Sequence, residues 1–378
     1  MLTIIALFAG IAWLWLTLLQ GNFWRASERL TDSPAPEEWP AVVAIIPARN
    51  EAETIGAVVE ALIQNDYPGD FTLIVANDSS DDGTAELARA SGAHEVLDVP
   101  PLPNGWTGKL WAVENAIQHS EMVAPDAKYV LLTDADIQLA PDTVSRLVAK
   151  AENENLALTS LMARLDARGP WASFLIPAFI YFFQKLYPFP RANDPDDNLA
   201  AAAGGCMLAR KDAITAIGGM GKIRSALIDD CTFAKAIKDL SPFTKIWLGL
   251  ASDEAVSLRD NRSLSSIWNM VARTAYAQLA YSPVFLFGTV LGMILVYLAA
   301  PLILLSAFYH WNLFALIFSG IACALMAYTY WPTLRLYGRA PWEAVLLPVA
   351  AGLYAAMTFS SALRHWRGEG GQWKGRSY

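Results

Sequence analysis

The chain has 378 residues, 54% of them apolar and 17% charged, and carries a net charge of -8. That length admits one sizeable domain plus further elements, and with glycine added the apolar share exceeds the roughly 45–50% of soluble domains, so part of the chain is expected to meet lipid. The negative balance leaves no basic footprint for nucleic acid. The three cysteines, Cys206, Cys231 and Cys323, have no paired spacing that would suggest a disulfide framework or a zinc site, and they fit a reducing compartment.

Residues 2–19 are apolar apart from Thr3 and Thr17, about the length of a membrane-crossing helix. No basic residue precedes the run and no small-x-small cleavage site follows it, so it reads as an anchor over 1–22 rather than a cleaved leader. Arg25 and Arg29 come next and place the following segment on the cytoplasmic side. Residues 32–40 read as a polar, Pro-rich linker.

Residues 41–46 form a continuous apolar, β-branched run, as expected of a strand buried on both faces. Ile55, Val58, Val59, Leu62 and Ile63 recur at helical spacing before Pro68-Gly69. A second strand is predicted over 71–76, a short helix over 84–90, and a further helix with Leu110, Val113 and Ile117 on one face. Another strand follows over 129–133, and Pro141 starts another helix. Strand-helix alternation implies a mostly parallel sheet, and ligands of such sheets sit beyond the C-terminal strand ends.

Those ends are acidic. Pro47-Ala48-Arg49-Asn50-Glu51 follows the first strand, Asn77-Asp78-Ser79-Ser80-Asp81-Asp82-Gly83-Thr84 the second, and Asp134-Ala135-Asp136 the strand at 129–133. Two residues apart on an extended segment, Asp134 and Asp136 point the same way, which suits a hard cation such as Mg²⁺ or Mn²⁺ completed by phosphate oxygens and water; a turn or helix-cap role is the alternative. Asp78 either accepts hydrogen bonds from a nucleotide or, like Ser80 and Asp82, caps the following helix. Lys109, at a helix start after Gly105-Trp106-Thr107-Gly108, favours a phosphate through its charge and the free N–H groups there; a solvated surface lysine is the alternative. A second acidic pair, Asp229-Asp230, follows Gly204-Gly205-Cys206 and Gly218-Gly219-Met220-Gly221, where either chemistry or the start of a helix over 231–237 accounts for it. Arg273 either neutralises a leaving diphosphate or snorkels to headgroups.

Residues 171–187 and 267–281 are aromatic-rich and read as helices in the membrane interface, or as ordinary buried helices of the soluble domain. Three apolar segments follow, about 283–308, 313–330 and 344–363. Were all three to span, the C-terminus would lie outside, whereas Arg364, Arg367, Lys374 and Arg376 prefer the inside. Either the tail is translocated, or one segment is re-entrant or interfacial, the one holding Pro348 being the candidate.

Taken together, Pro47-x-x-Asn50-Glu51, Asp78-x-Ser80-x-Asp82-x-Thr84, Gly108-Lys109, Asp134-x-Asp136 and Asp229-Asp230 resemble, in order and approximate spacing, the family 2 inverting glycosyltransferases. Among its membrane-bound branches the chain is similar to ceramide glucosyltransferases and more so to bacterial hopene-associated glycosyltransferases, and residues 373–378 resemble their terminal basic-aromatic motif. The resemblance implies an α/β GT-A-like fold, a mostly parallel sheet sandwiched by helices, with transmembrane helices at both termini. The implied organisation is an anchor at 1–22, a cytoplasmic catalytic domain at 40–262, an interfacial helix at 263–282, transmembrane segments at 283–364 and a basic-aromatic tail at 365–378.

By the same resemblance Pro47, Asn50, Glu51, Asp78, Lys109 and Arg273 bind a nucleotide-sugar donor and Asp134 and Asp136 hold the metal-diphosphate. Asp230, beside Asp229, is the base that activates a membrane lipid acceptor, a hopanoid being the implied example, at the inner face of the cell membrane. The family's Gln-x-x-Arg-Trp motif survives only as Met270-Val271-Ala272-Arg273-Thr274, which argues for single transfer and leaves the acceptor site undefined. Competing classes are a processive polysaccharide synthase, which normally needs more spanning helices, and a non-enzymatic membrane receptor or transporter, disfavoured by the scarcity of intramembrane charges. A nicotinamide oxidoreductase lacks its Gly-x-Gly-x-x-Gly after the first strand.

Overall fold

A computed structural model describes residues 2–241 and 243–369; the terminal motif at 373–378 lies outside them. In chain order the elements are α1 (Leu2–Leu18), β1 (Val42–Ala48), α2 (Ile55–Ile63), β2 (Phe71–Asn77), α3 (Thr84–Ala90), β3 (Glu95–Asp98), α4 (Gly108–Val123), β4 (Tyr129–Thr133), β5 (Ile137–Leu139), α5 (Thr143–Glu154) and β6 (Leu158–Met162). There follow α6 (Pro170–Leu186), α7 (Phe189–Ala192), β7 (Cys206–Arg210), α8 (Lys211–Ala216), α9 (Asp229–Lys238), β8 (Ile246–Leu250), β9 (Ala255–Ser257), α10 (Leu264–Thr274), α11 (Pro283–Met293), α12 (Ala299–His310), α13 (Leu313–Leu336) and α14 (Leu347–Trp366). A π-helical turn, Ile294–Leu298, joins α11 to α12. The chain divides into two compact units, one of residues 28–166 and 191–259, the other of residues 1–27, 167–190 and 260–378.

The first unit is built on a seven-stranded sheet in the order β3-β2-β1-β4-β7-β6-β8. It is parallel except where β7 runs against β4 and β6. The two-residue period of β1 sends Val42, Ala44 and Ile46 into one core with Val58, Leu62 and Val144, and Val43 and Ile45 into another with Ala112, Val113 and Phe233. Both faces of the strand are therefore closed by helices, which is why the run carries no alternation of polarity. β5 and β9 form a separate two-stranded antiparallel sheet. The strands expected at 41–46, 71–76 and 129–133 are present; β3 and β5 to β9 carry weaker patterns and extend that reading.

The second unit is helical. Pro283–Ser306, Leu313–Leu336 and Pro341–Trp366 are long and apolar enough to cross a membrane, and α1 is a shorter apolar helix. Side-chain caps start three of its helices: Ser263 accepts the Ser266 N–H, Ser282 that of Phe285, and Asn312 that of Ala315. Pro348, expected to interrupt a segment, sits in the first turn of α14, where a missing N–H costs no bond.

Large apolar side chains such as Val284, Phe287 and Leu305 are exposed while Ser319, Thr329 and Thr333 are buried, the pattern of a bundle whose surroundings are lipid. Both aromatic stretches belong to this unit: Tyr181 of α6 hydrogen-bonds Thr329 at 2.9 Å, and Trp268 of α10 donates to Ser360 at 3.0 Å. Residues 167–190, inside the span expected of a contiguous catalytic domain, thus pack with the helical unit. The two units differ in charge. The helical unit holds eleven Lys and Arg against three Asp and Glu, a net of +8, so the sheet-bearing unit holds -16 of the chain's -8 total.

Candidate active site

Three strand ends supply the rim. At the end of β1 the chain turns through Asn50, which has a positive φ of 51°, and there braces the next loop: its N–H donates to Ser80 Oγ at 3.1 Å and its Oδ1 accepts the Asp81 N–H at 3.1 Å. The Glu51 N–H donates to Thr84 Oγ1 at 2.9 Å, and the Ala52 N–H to Asp82 Oδ2 at 3.0 Å. Asp82 also accepts from the Thr84 N–H, so this carboxylate joins two loops. Burial would raise its pKa, but the hydrogen bonds from Thr84 and Ala52 prevail and hold it below the usual range. Ser80, a candidate cap, instead accepts from Asn50 and donates its N–H to Asn77 Oδ1. Asp78 is 1% exposed at the end of β2, its N–H bonded to the Ala48 carbonyl.

Lys109 occupies the first turn of α4 and reaches across the ends of the sheet. Its Nζ lies 2.8 Å from Asp134 Oδ1 and 3.2 Å from Asp229 Oδ2. Burial alone would depress the ammonium, yet the charges of Asp134, Asp229 and Asp230 outweigh it and keep Lys109 above its ordinary range. Asp134 and Asp136 flank the buried Ala135 in a turn between β4 and β5, closed by the Ile137 N–H on the Asp134 carbonyl at 3.1 Å, and not on the extended segment the sequence suggested. Burial, then the charge of Asp134, pushes the Asp136 carboxyl up, partly offset by Arg259, whose Nε is 3.8 Å away.

Asp229 and Asp230 open α9. Asp230 turns inward, where Oδ2 accepts the Gly204 N–H at 3.0 Å and Oδ1 the Cys231 N–H at 2.7 Å. Burial and the neighbouring Asp229 raise its pKa to about 6 against the opposing pull of Lys109 and these N–H groups. A Cβ at Gly204 would stand 3.1 Å from Lys109 Nζ and 3.6 Å from Asp230 Oδ2, so glycine there admits both groups. The Gly204 segment is itself held from the sheet: Thr133 Oγ1 donates to the Gly205 carbonyl, and buried Ser160 Oγ donates to the Ala203 and Cys206 carbonyls.

A small cavity beside this cluster is lined by Pro47, Lys109, Asp134, Gly204 and Asp229 together with Val113, Met207, Met220 and Phe233. The structure thus gathers Pro47, Lys109, Asp134, Asp229 and Asp230, with Asp136 beside them. Asn50, Glu51 and Asp78 lie in the loops after β1 and β2. Arg273 is in the last turn of α10, in the helical unit. Gly204, Thr133, Ser160 and Arg259 had no individual role in the sequence; only the Gly204-Gly205 pair gave a signal.

Among the described residues no group of three or more His, Cys, Asp or Glu side chains forms a ready metal cage. Two hard carboxylates two residues apart do fit a divalent ion of the Mg²⁺ type, which takes one or two carboxylates and completes its shell with water and substrate phosphates.

Residues 43–218 match the family described as Glycosyl transferase family 2. Over 109 residues the chain is 37% identical to the 4,4'-diaponeurosporenoate glycosyltransferase of Staphylococcus aureus strain USA300, covering 29% of this chain and 27% of that protein. With the same enzyme from the bovine strain RF122 it is 37% identical over 105 residues, 28% and 26% of the two chains. The match thus spans about a quarter of these relatives. A mannosyltransferase from Pyrobaculum calidifontis, solved in complex with GDP-Man and Mn2+, superposes with a TM-score of 0.57 and 19% identity over 97% of this chain and 99% of its own, which marks a shared fold.

Proposed function

From a chain that carries a family 2 glycosyltransferase domain together with membrane-length helices, we propose an enzyme that moves a sugar from a nucleotide-sugar donor to a membrane lipid with inversion at the anomeric carbon. The observation that carries the reading is Asp230: a half-buried carboxylate with a pKa raised to about 6, oriented by two backbone N–H groups beside a lysine that bridges Asp134 and Asp229. A carboxylate so tuned is ionised near neutral pH and basic enough to take a proton from an acceptor hydroxyl as that oxygen attacks.

Lys109 and the helix start beneath it face the diphosphate; Pro47, Asn50, Glu51 and Asp78 shape the nucleotide end, Asn50 by holding the loop rather than by free reach. A Mg²⁺ or Mn²⁺ ion held by Asp134 and Asp136 would neutralise charge developing on the departing diphosphate. The chain would sit as a multi-pass protein of the cell membrane with the catalytic unit in the cytoplasm, a reading supported by Arg25 and Arg29 after the first apolar helix. The relatives' named acceptor, 4,4'-diaponeurosporenoate, supports a lipid-like acceptor, and a hopanoid is the specific one we infer.

The test is release of nucleoside diphosphate from UDP-, GDP- and dTDP-sugars by the full chain in bilayers containing hopanoids, with and without Mn²⁺ or Mg²⁺. Metal-dependent release coupled to a single-sugar glycolipid is expected. A polymeric product would favour the processive class, and no release with any donor would remove the catalytic reading. Asp134→Ala or Asp136→Ala should weaken donor binding only when metal is present; equal weakening in its absence would mean that the pair does not hold the ion.

A further inference from the structure

Each carboxylate of Asp134 and Asp136 faces a different cation. Lys109 makes a short contact with Asp134, at 2.8 Å. Arg259 stands 3.8 Å from Asp136, close enough for attraction and too far for a hydrogen bond. Among the described residues the Arg259 side chain makes no hydrogen bond, its backbone N–H alone donating, to Ser257 Oγ.

The position of Arg259 is nevertheless fixed. β5 begins one residue after Asp136, β9 ends two residues before Arg259, and these strands pair Ile137 with Ser257. The Leu258 N–H then donates to the Asp136 carbonyl at 2.7 Å. A guanidinium whose N–H donors make no hydrogen bond among the described residues, 44% exposed, is thereby held beside Asp136. At 3.8 Å the pair is too long for a hydrogen bond, so direct bonding to Asp136 gives scant reason for the placement. A planar fork of donors is well matched to phosphate oxygens, which it binds bidentately.

We propose that Arg259 binds the diphosphate of the donor, from the side opposite Lys109, so that the two cations now facing Asp134 and Asp136 turn to the phosphates when the donor enters. This rests on the donor reading above. It gives the sheet-bearing unit its own arginine for the leaving group.

The experiment is calorimetric titration of the full chain in nanodiscs with UDP, GDP and dTDP and with the corresponding nucleosides, in the presence and absence of Mg²⁺. Arg259→Ala should weaken the preferred nucleoside diphosphate by roughly tenfold or more, the worth of one hydrogen bond to a charged group, and leave the nucleoside affinity unchanged. Arg259→Lys should recover part of the loss. Unchanged diphosphate affinity in Arg259→Ala would overturn the proposal, and so would an equal loss for diphosphate and nucleoside, which would signal a disturbed loop. If wild-type protein binds none of the three diphosphates, the donor reading fails and this one falls with it; binding by wild type with no effect of Arg259→Ala sinks this proposal alone.

Discussion

Asp230 shows how a single residue is tuned by what surrounds it. Desolvation and Asp229 push its pKa up, Lys109 and two N–H groups pull it down, and the balance rests at about 6. In the proposed role of general base Asp230 would act in its ionised form, so the rate should be lost as pH falls through about 6. The acid limb of kcat/KM, which reports the free enzyme, should therefore lie near that value rather than near the ordinary carboxylate range of about 4. Asp230→Asn should abolish transfer while leaving nucleoside diphosphate binding in place. A limb near pH 4, or turnover by the variant, would exclude Asp230 as the base. At Gly204 the addition of one methyl group meets both Lys109 and Asp230; Gly204→Ala should fold normally, since the obstructing Lys109 group is the end of a flexible chain, but lose transfer by tenfold or more, a loss measurable by product formation at saturating donor.

At the scale of elements, the loop into α9 depends on Gly219. Its φ of 68° with ψ of -165° is a region that essentially only glycine occupies, and a Cβ there would stand 2.9 Å from Glu114 Oε2. The same carboxylate accepts the Met220 N–H at 2.8 Å, and the Arg224 carbonyl accepts the Thr107 N–H at 2.8 Å, so α4 holds the loop at two points while presenting Lys109 to the site. Gly219→Ala should destabilise the unit by about 1–3 kcal/mol, visible as a lower Tm, and Glu114→Ala should lower it less. Unchanged melting in Gly219→Ala would mean the loop adapts. The legibility of these elements in the sequence was uneven for physical reasons. α3 and β4 match their expected bounds, and Asp134 and Asp136 stood out because a buried residue separates them. Lys109 was flagged by its glycine-bounded helix start, but nothing local announced that it would bridge two acids far apart in sequence. Arg259 follows a three-residue strand with no periodic signal, and Arg273 lies on an aromatic stretch whose composition told of lipid while its motif told of the donor. Ser160 holds the Gly204 segment through long-range bonds to a strand pairing that no local pattern encodes.

For the molecule as a whole, the aromatic stretches at 171–187 and 267–281 are the point at which composition spoke more truly than position, since both pack among membrane-length helices although one interrupts the sheet-bearing sequence. The opposite charges of the two units have a kinetic meaning. A nucleotide-sugar is an anion, and it must approach a unit carrying -16 on a chain carrying -8. Long-range repulsion of this kind slows encounter, and it fades once the Debye length shortens to about 10 Å near 0.1 M salt. Stopped-flow association of donor should therefore accelerate from low to physiological ionic strength; faster capture at low salt would mean that the local field of Lys109 and Arg259 outreaches the net charge. Under the proposed function, the small ions of the surrounding solution would then supply the screening that lets the donor reach this unit.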